Sequence, residues 1–371
     1  MSSRLFLSYL VRTLYFLSCC IIIDADGVEA FKNVYNILTP CILDTPFLNG
    51  RNLTLKYPND AEEHYKTLLH ITSAYRNFPP HKYKEYKGPW IENYFISTFL
   101  PEPLSYFHGL FPLFIQWVDI HVNSITRNHN SQIPSMSNLM NEMEHSLRSD
   151  VIYFTVSQDD EGLFELIEKF PNILIFSAGG YGHIPIPLIK GNIDYIPMNY
   201  PAQYTVGFYG GTLHSSKRLQ IFKELSNITY YYNISHKFKQ SQHWISDISH
   251  TLFNFAPRGY GRTSFRVAEI IQIGRLPIYI YSDIPWVPYR DTSIDYNNFG
   301  YVCNVNDLDE TVKKMLNCTP VEVQRMLHRV KDVREYYTYE GVMKQIKLFL
   351  QDPLGPAGGY LRCNRVPDTR N

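Results

Sequence analysis

From residue 151 onward, short apolar runs alternate with stretches whose apolar positions recur at helical spacing. VIYFTV, NILIFSAG, YTVGFYGG, ITYYYN, LFNFAP and LPIYIYSD read as strands, since each is short, rich in β-branched or aromatic residues and bounded by turn formers. Residues 214–226 and 263–273 read as helices between them. Such alternation implies an α/β fold with a parallel sheet covered by helices. Upstream, residues 79–112 are rich in proline and aromatics and read as loops, followed by a buried helix through Ile115–Val122 and another over 137–147. PMNYPA interrupts the pattern with two prolines at Ile196–Ala202, and a fresh series starts after it. Two Rossmann-like domains facing a cleft follow, over residues 31–200 and 201–350. The last helical stretch, Thr338–Leu350, ends before Asp352-Pro353, because the residue before a proline is pushed out of helical geometry. Residues 351–371 have no apolar period and read as a mobile tail unless Cys363 ties them down.

Composition narrows the function. The 371 residues give room for two covered cores, and no repeat of solenoid period occurs. Lys plus Arg, 35, cancels Asp plus Glu, 35, so no excess positive field exists to draw the chain onto nucleic acid. The 29 tyrosines and 22 phenylalanines exceed ordinary usage. Most belong in the core, but a tyrosine's apolar face and polar tip also suit a half-wet cleft or the C–H face of a sugar.

The first thirty residues read as an address. Thr13–Ile23 is an uninterrupted apolar stretch, too short for a bilayer span and of the length of a signal-peptide core. Val28-Glu29-Ala30 sets small residues for cleavage before Phe31; a retained anchor, with Arg4 and Arg12 cytoplasmic, is the alternative and the one membrane contact expected. Either route puts the body in the secretory pathway lumen, with the Golgi expected ahead of the ER. Sequons at Asn52, Asn227, Asn233 and Asn317 fit that compartment. So do Cys41, Cys303, Cys318 and Cys363, an even number, of which Cys303 with Cys318 closes a short loop and is the favoured pair. No cysteine or histidine spacing suggests zinc.

Chemistry concentrates in residues 252–285, LFNFAPRGYGRTSFRVAEIIQIGRLPIYIYSDIP. They read as strand, loop, helix and strand, the helix starting near Thr263 and stopping at Gly274. Free N–H groups at the helix start and the helix dipole favour an anion, while Gly259 and Gly261 would let the backbone approach a phosphate. Arg258 and Arg262 add forked cationic donors, so a diphosphate suits the loop. Arg266 and Glu269 share a helix face, the first placed to reach the phosphates and the second to accept from vicinal hydroxyls, with an i,i+3 ion pair as the alternative.

PRGYGRTSFRVAE, followed by Gly274-x-x-Pro277, Tyr281-Ser282-Asp283 and Pro288-Tyr289, resembles the C-terminal signature of the exostosin family of glycosyltransferases. Weaker likeness extends upstream through YFTVSQDDEG, ILIFSAGG, IPMNYP and VGFYGG, with Arg218 in the next helix. The resemblance implies a GT-B arrangement, with a nucleotide diphosphate sugar held by the C-terminal domain, a carbohydrate acceptor on the N-terminal side, and inverting transfer with no obligatory metal or other cofactor. Carried over by position, Arg258, Gly259, Ser264, Arg266 and Glu269 become donor-side residues, and Gly261 and Arg262 share their loop. Many members have Gly-Arg-Asp-His where this chain has Gln158-Asp159-Asp160-Glu161-Gly162, which leaves Asp160 for the acidic role and His183 as a second candidate base. Tyr181, Tyr209, Tyr260 and Tyr289 are candidates for sugar contact. Three other readings stand beside this one: a catalytically silent relative that binds glycan or partners a transferase, a metal site at Asp307-Leu308-Asp309, and a dinucleotide fingerprint at Gly259-x-Gly261-x-x-Ser264 that would make an oxidoreductase.

Overall fold

A computed structural model describes residues 41–80, 88–125, 131–160, 163–198, 202–211 and 216–364. The expected leader and cleavage point lie outside them, as do residues 199–201 of the expected break at Ile196–Ala202. The N-terminal half opens with helices α1 (Thr45–Arg51), α2 (Ala61–Ile71) and α3 (Ile91–Phe99). It continues through β1 (Leu110–Pro112), α4 (Trp117–Ile125), α5 (Met136–Ser146), β2 (Ile152–Ser157), α6 (Phe164–Lys169), β3 (Ile173–Ser177) and β4 (Ile184–Pro185). Its sheet runs β1-β2-β3-β4, every pair parallel, with Leu110 opposite Ile152, Tyr153 opposite Ile173 and Phe176 opposite Ile184. Every residue of β2 and β3 is buried, which is why these strands read as unbroken apolar runs.

The C-terminal half contains β5 (Tyr204–Tyr209), α7 (Ser216–Tyr231), β6 (His236–Lys239), α8 (Trp244–Ser249), β7 (Thr251–Pro257), α9 (Phe265–Ile273), β8 (Leu276–Tyr281) and β9 (Tyr301–Asn304). Helices α10 (Leu308–Leu316), α11 (Pro320–Val333) and α12 (Tyr339–Gln351) close the chain. Here the order is β6-β5-β7-β8-β9, again all parallel. The fold is therefore α/β with two Rossmann-like sheets, of GT-B type as expected.

Local chemistry explains the element ends. Ser264 accepts from Arg266 N to cap α9, one residue beyond the expected start, and Gly274 ends it at φ 89° in the left-handed region. A capping box of Thr319 and Glu322, with Pro320 in the first turn, starts α11. ITYYYN is not a strand but the last turn of α7 and the residues after it; Leu225 and Thr229 are buried four apart while Tyr230 and Tyr231 face out. The strand that follows, HKFK, lies at the sheet edge with both ends exposed, so it lacks the apolar run that marks its neighbours. Helix α3 sits inside the stretch expected to be loop, and its buried Ile91, Phe95 and Phe99 recur at i, i+4 and i+8.

The last helix crosses back. In α12, Phe349 meets Phe176 of β3 edge-on at 5.3 Å, Tyr339 stacks on Tyr94 of α3 at 4.0 Å, and the Tyr339 hydroxyl donates to Ile189 O at 3.2 Å. By packing, this helix belongs to the N-terminal half. Nor is the segment after it mobile as far as Asn364: Leu361 is fully buried, Asn364 N donates to His183 O at 2.8 Å, and Cys363 is bonded to Cys41. That bond corrects the favoured pairing. Helix α10 fills the interval between Cys303 and Cys318, leaving Cys303 buried as a thiol on β9 and Cys318 beside the Tyr301 hydroxyl at 2.9 Å. All four sequon asparagines are exposed.

Candidate active site

Strands β5 and β7 are neighbours, but the chain leaves β5 toward β6 on one side and returns to β7 on the other. Such a reversal opens a crevice beyond the carboxyl ends of the two strands, where α/β sheets hold ligands. Arg218, in the first turn of α7, spans this point. Its Nη2 donates to Pro257 O at the end of β7, at 3.0 Å, and its Nη1 to Gly211 O just past β5, at 3.4 Å. Arg266, in the first turn of α9, stacks on Trp244 of α8 at 4.5 Å. Burial, and then the positive field of Arg266, push the Arg218 pKa down, while Tyr260 and Asp160 act in the opposite direction. Arg266 thus lies within electrostatic reach of Arg218, as do the 56% exposed Tyr260 and, from the other half, the half-buried Asp160.

Of the other expected donor residues, Gly261 and Arg262 hold the seam between the halves, while Arg258 is held within the C-terminal half. Arg258 is spent on its own loop: Nη1 reaches Asp283 Oδ1 at 2.6 Å and Ser282 Oγ at 3.2 Å, and Nε reaches Gly261 O at 3.0 Å. Arg262 has no exposed surface; it pairs with Asp283 Oδ2 at 3.4 Å, donates to Gly180 O at 3.1 Å and lies over the Tyr181 ring at 4.1 Å. A Cβ on Gly261 would stand 2.2 Å from Gly179 O, so this glycine serves close approach of the two halves rather than of a phosphate. Gly259 N closes the loop onto Thr263 O at 2.8 Å, and Thr263 Oγ1 donates to Ala178 O at 2.7 Å. The cavity beside Thr263 and Ser264, about 20 Å³, admits a single water. The loop ahead of Arg266 is therefore packed against the N-terminal half at Gly261 and Thr263, and the dinucleotide reading meets the same packing at Gly261.

Arg266 and Glu269 form the i,i+3 ion pair, Nη1 to Oε2 at 2.8 Å, and it is a covered pair, 17% and 7% exposed. Tyr209 and Tyr289 are core residues, leaving Tyr260 as the exposed tyrosine of the expected four. Asp307 stands at the start of α10, and Asp309 pairs with Lys313 at 2.7 Å and accepts from Tyr232; among the described residues no third carboxylate, histidine or cysteine joins them to form a metal-binding group.

His183 does not serve as a base. It is 2% exposed, its Nδ1 accepts from Ile175 N at 3.1 Å, and burial drives its pKa down to about 4. A different imidazole stands at the carboxyl edge of the N-terminal sheet: His121 of α4, 29% exposed, has its Nδ1 3.5 Å from Oδ2 of the 5% exposed Asp159. Neither it nor Trp244 carried a signal in the sequence, since each becomes recognisable by a partner far along the chain.

No protein-family model matches the chain, and no curated protein matches it. Solved structures do. A GtfA/B complex matches at 11% identity and TM-score 0.37 over 58% of this chain and 48% of that one. A mutant of S. aureus TarM in complex with fondaparinux, α-GlcNAc-glycerol and UDP matches at 11% and 0.36 over 61% and 48%. Sucrose-phosphate synthase from Thermosynechococcus elongatus matches at 11% and 0.34 over 62% and 65%. The chain spans about half the length of the first of these. At such scores the likenesses carry no argument, and the sheet layout stands on the strand pairing described above.

Proposed function

We propose that this chain is an exostosin-like inverting glycosyltransferase of the secretory pathway lumen, in the Golgi, transferring a sugar from a nucleotide diphosphate sugar to a glycan or glycoprotein. The observation that carries this reading is the guanidinium pair of Arg218 and Arg266 at the reversal point of the C-terminal sheet. Covered guanidiniums favour an anionic ligand, and a diphosphate leaving group gains charge as the sugar departs. Trp244 carries Arg266 on its ring, and the exposed Tyr260 offers a face of the kind that a base or sugar ring packs on. Glu269 holds Arg266 in place until a donor arrives.

The engagement of Arg258 and Arg262 with Asp283 favours a second reading, a silent relative that binds glycan or supports a catalytic subunit. Thermal-shift measurement with UDP, GDP and CDP separates the two. The transferase should be stabilised by at least one of them, and the stabilisation should vanish in Arg218→Ala and Arg266→Ala. Turnover in Arg266→Ala should fall about a hundredfold. Stabilisation by none of the three in the unaltered protein would defeat the transferase reading.

A further inference from the structure

We infer that His121, oriented by Asp159, is the base that takes the proton from the incoming hydroxyl; this rests on the transferase reading above. The two residues come from separate elements, and Glu92 of α3 clamps those elements together. Its Oε1 accepts from Gln158 N at 2.9 Å, the residue before Asp159, and its Oε2 accepts from Val118 N at 3.0 Å, three residues before His121. Glu92 is completely buried, so this clamp lies out of reach of water. Asp119, next in line on α4, is held in turn by Trp90 Nε1 at 2.8 Å and Gln116 Nε2 at 2.9 Å. Asp159 itself receives support from both sides: its N–H donates to Ser157 Oγ at 3.2 Å, and its carbonyl lies where any Cβ on Gly179 would strike it.

The carboxylate is covered and the imidazole is not, which is the arrangement a base needs. Asp159 faces Nδ1, fixing the ring and stabilising the imidazolium that forms, and leaves Nε2 as the nitrogen that can meet a hydroxyl. The place is also right. Gly179, which packs on Asp159, accepts from Arg262 N at 3.0 Å, so the dyad stands on the N-terminal side of the seam whose far side leads to Arg218 and Arg266. Asp160 is instead engaged electrostatically with Arg218 across the seam. In the reaction, the hydroxyl proton passes to His121 Nε2 and the hydroxyl oxygen bonds to the anomeric carbon. The bond from that carbon to the diphosphate breaks, and its electron pair leaves on the phosphate oxygen.

The test uses the full chain, with UDP-glucose, UDP-galactose, UDP-xylose, UDP-N-acetylglucosamine and GDP-fucose as donors and water as acceptor, and nucleoside diphosphate release as the readout. His121→Ala should lower release about 10²- to 10⁴-fold while keeping the thermal shift given by the free diphosphate. Added imidazole should restore part of the rate. Asp159→Asn should lower kcat with KM unchanged. A folded His121→Ala protein that releases diphosphate at the normal rate overturns the assignment, as does a loss that accompanies loss of the diphosphate shift and resists imidazole. Should His121→Ala not fold, His121→Gln keeps side-chain bulk and a nitrogen, and normal release in it overturns the assignment equally. An unaltered protein that no diphosphate stabilises removes the transferase reading, and this inference with it; a stabilised one with an indifferent His121 removes the base alone.

Discussion

Replacing Asp283 by alanine tests whether the Arg-rich loop is a seam rather than an open phosphate cradle. Asp283 is 19% exposed and supplies both carboxylate oxygens to guanidiniums, Oδ1 to Arg258 at 2.6 Å and Oδ2 to Arg262 at 3.4 Å. Arg258 is 11% exposed and Arg262 has no exposure, so neither can turn to water once the carboxylate is gone. At an effective dielectric constant of about 20, unit charges about 4 Å apart attract by roughly 4 kcal/mol. Removing one partner from a covered charge cluster costs about 3–5 kcal/mol, because the remaining charge keeps its desolvation penalty. Partial exposure of Asp283 lets water replace some of its contact, which puts the loss near 3 kcal/mol. With about 2–4 °C of Tm per kcal/mol for domains of this size, the midpoint should fall by roughly 6–12 °C in scanning calorimetry. Asp283→Asn, which keeps the shape and one acceptor, should fall less. If Asp283→Ala melts within about 2 °C of the unaltered protein, the two arginines are not held as described.

Two further outcomes follow from buried groups elsewhere in the chain. His183 stays neutral in the folded chain down to about pH 4, whereas unfolded it takes a proton near 6.5, so between those values the unfolded state binds more protons. Its contribution to stability is therefore full above about pH 6.5 and is lost as pH falls toward 4, by up to about 3 kcal/mol; His183→Asn, which can keep an acceptor for Ile175 N, should flatten the decline of Tm between pH 7 and 5. Cys41 and Cys363 close a loop across a separation of 322 residues, worth up to about 6 kcal/mol in the chain-entropy account, so reduction should lower Tm clearly. In the unreduced protein, thiol labelling of the unfolded body should mark Cys303 and Cys318 and spare the other two.

Local pattern fixed much of the architecture in advance. The fully covered strands β2, β3, β7 and β8 announce themselves as apolar runs, because a strand buried on both faces has no polar side to show. Edge strand β6 does not, because both its ends are exposed and none of its residues is buried. Within the motif the residue types were right and several destinations were not. Arg258, Gly261 and Arg262 look like a phosphate cradle in one dimension, yet the two arginines close on Asp283 beyond the next strand, and Gly261 on Gly179, whose nearness is a property of the packed halves. Arg266 and Glu269 kept the helix-face relationship that their spacing of three dictates.

By itself, then, the sequence determined two helix-covered parallel sheets and the segment where cationic chemistry gathers, since periodicity and spacing act over a few residues and survive in any context. Only the tertiary structure decided which arginines remain at the crevice, that α12 and Cys363 return to the first half, and that His121 meets Asp159. Each of those depends on contacts between elements tens to hundreds of residues apart. The energy of burying and pairing charged groups there is set by neighbours that the local sequence does not name.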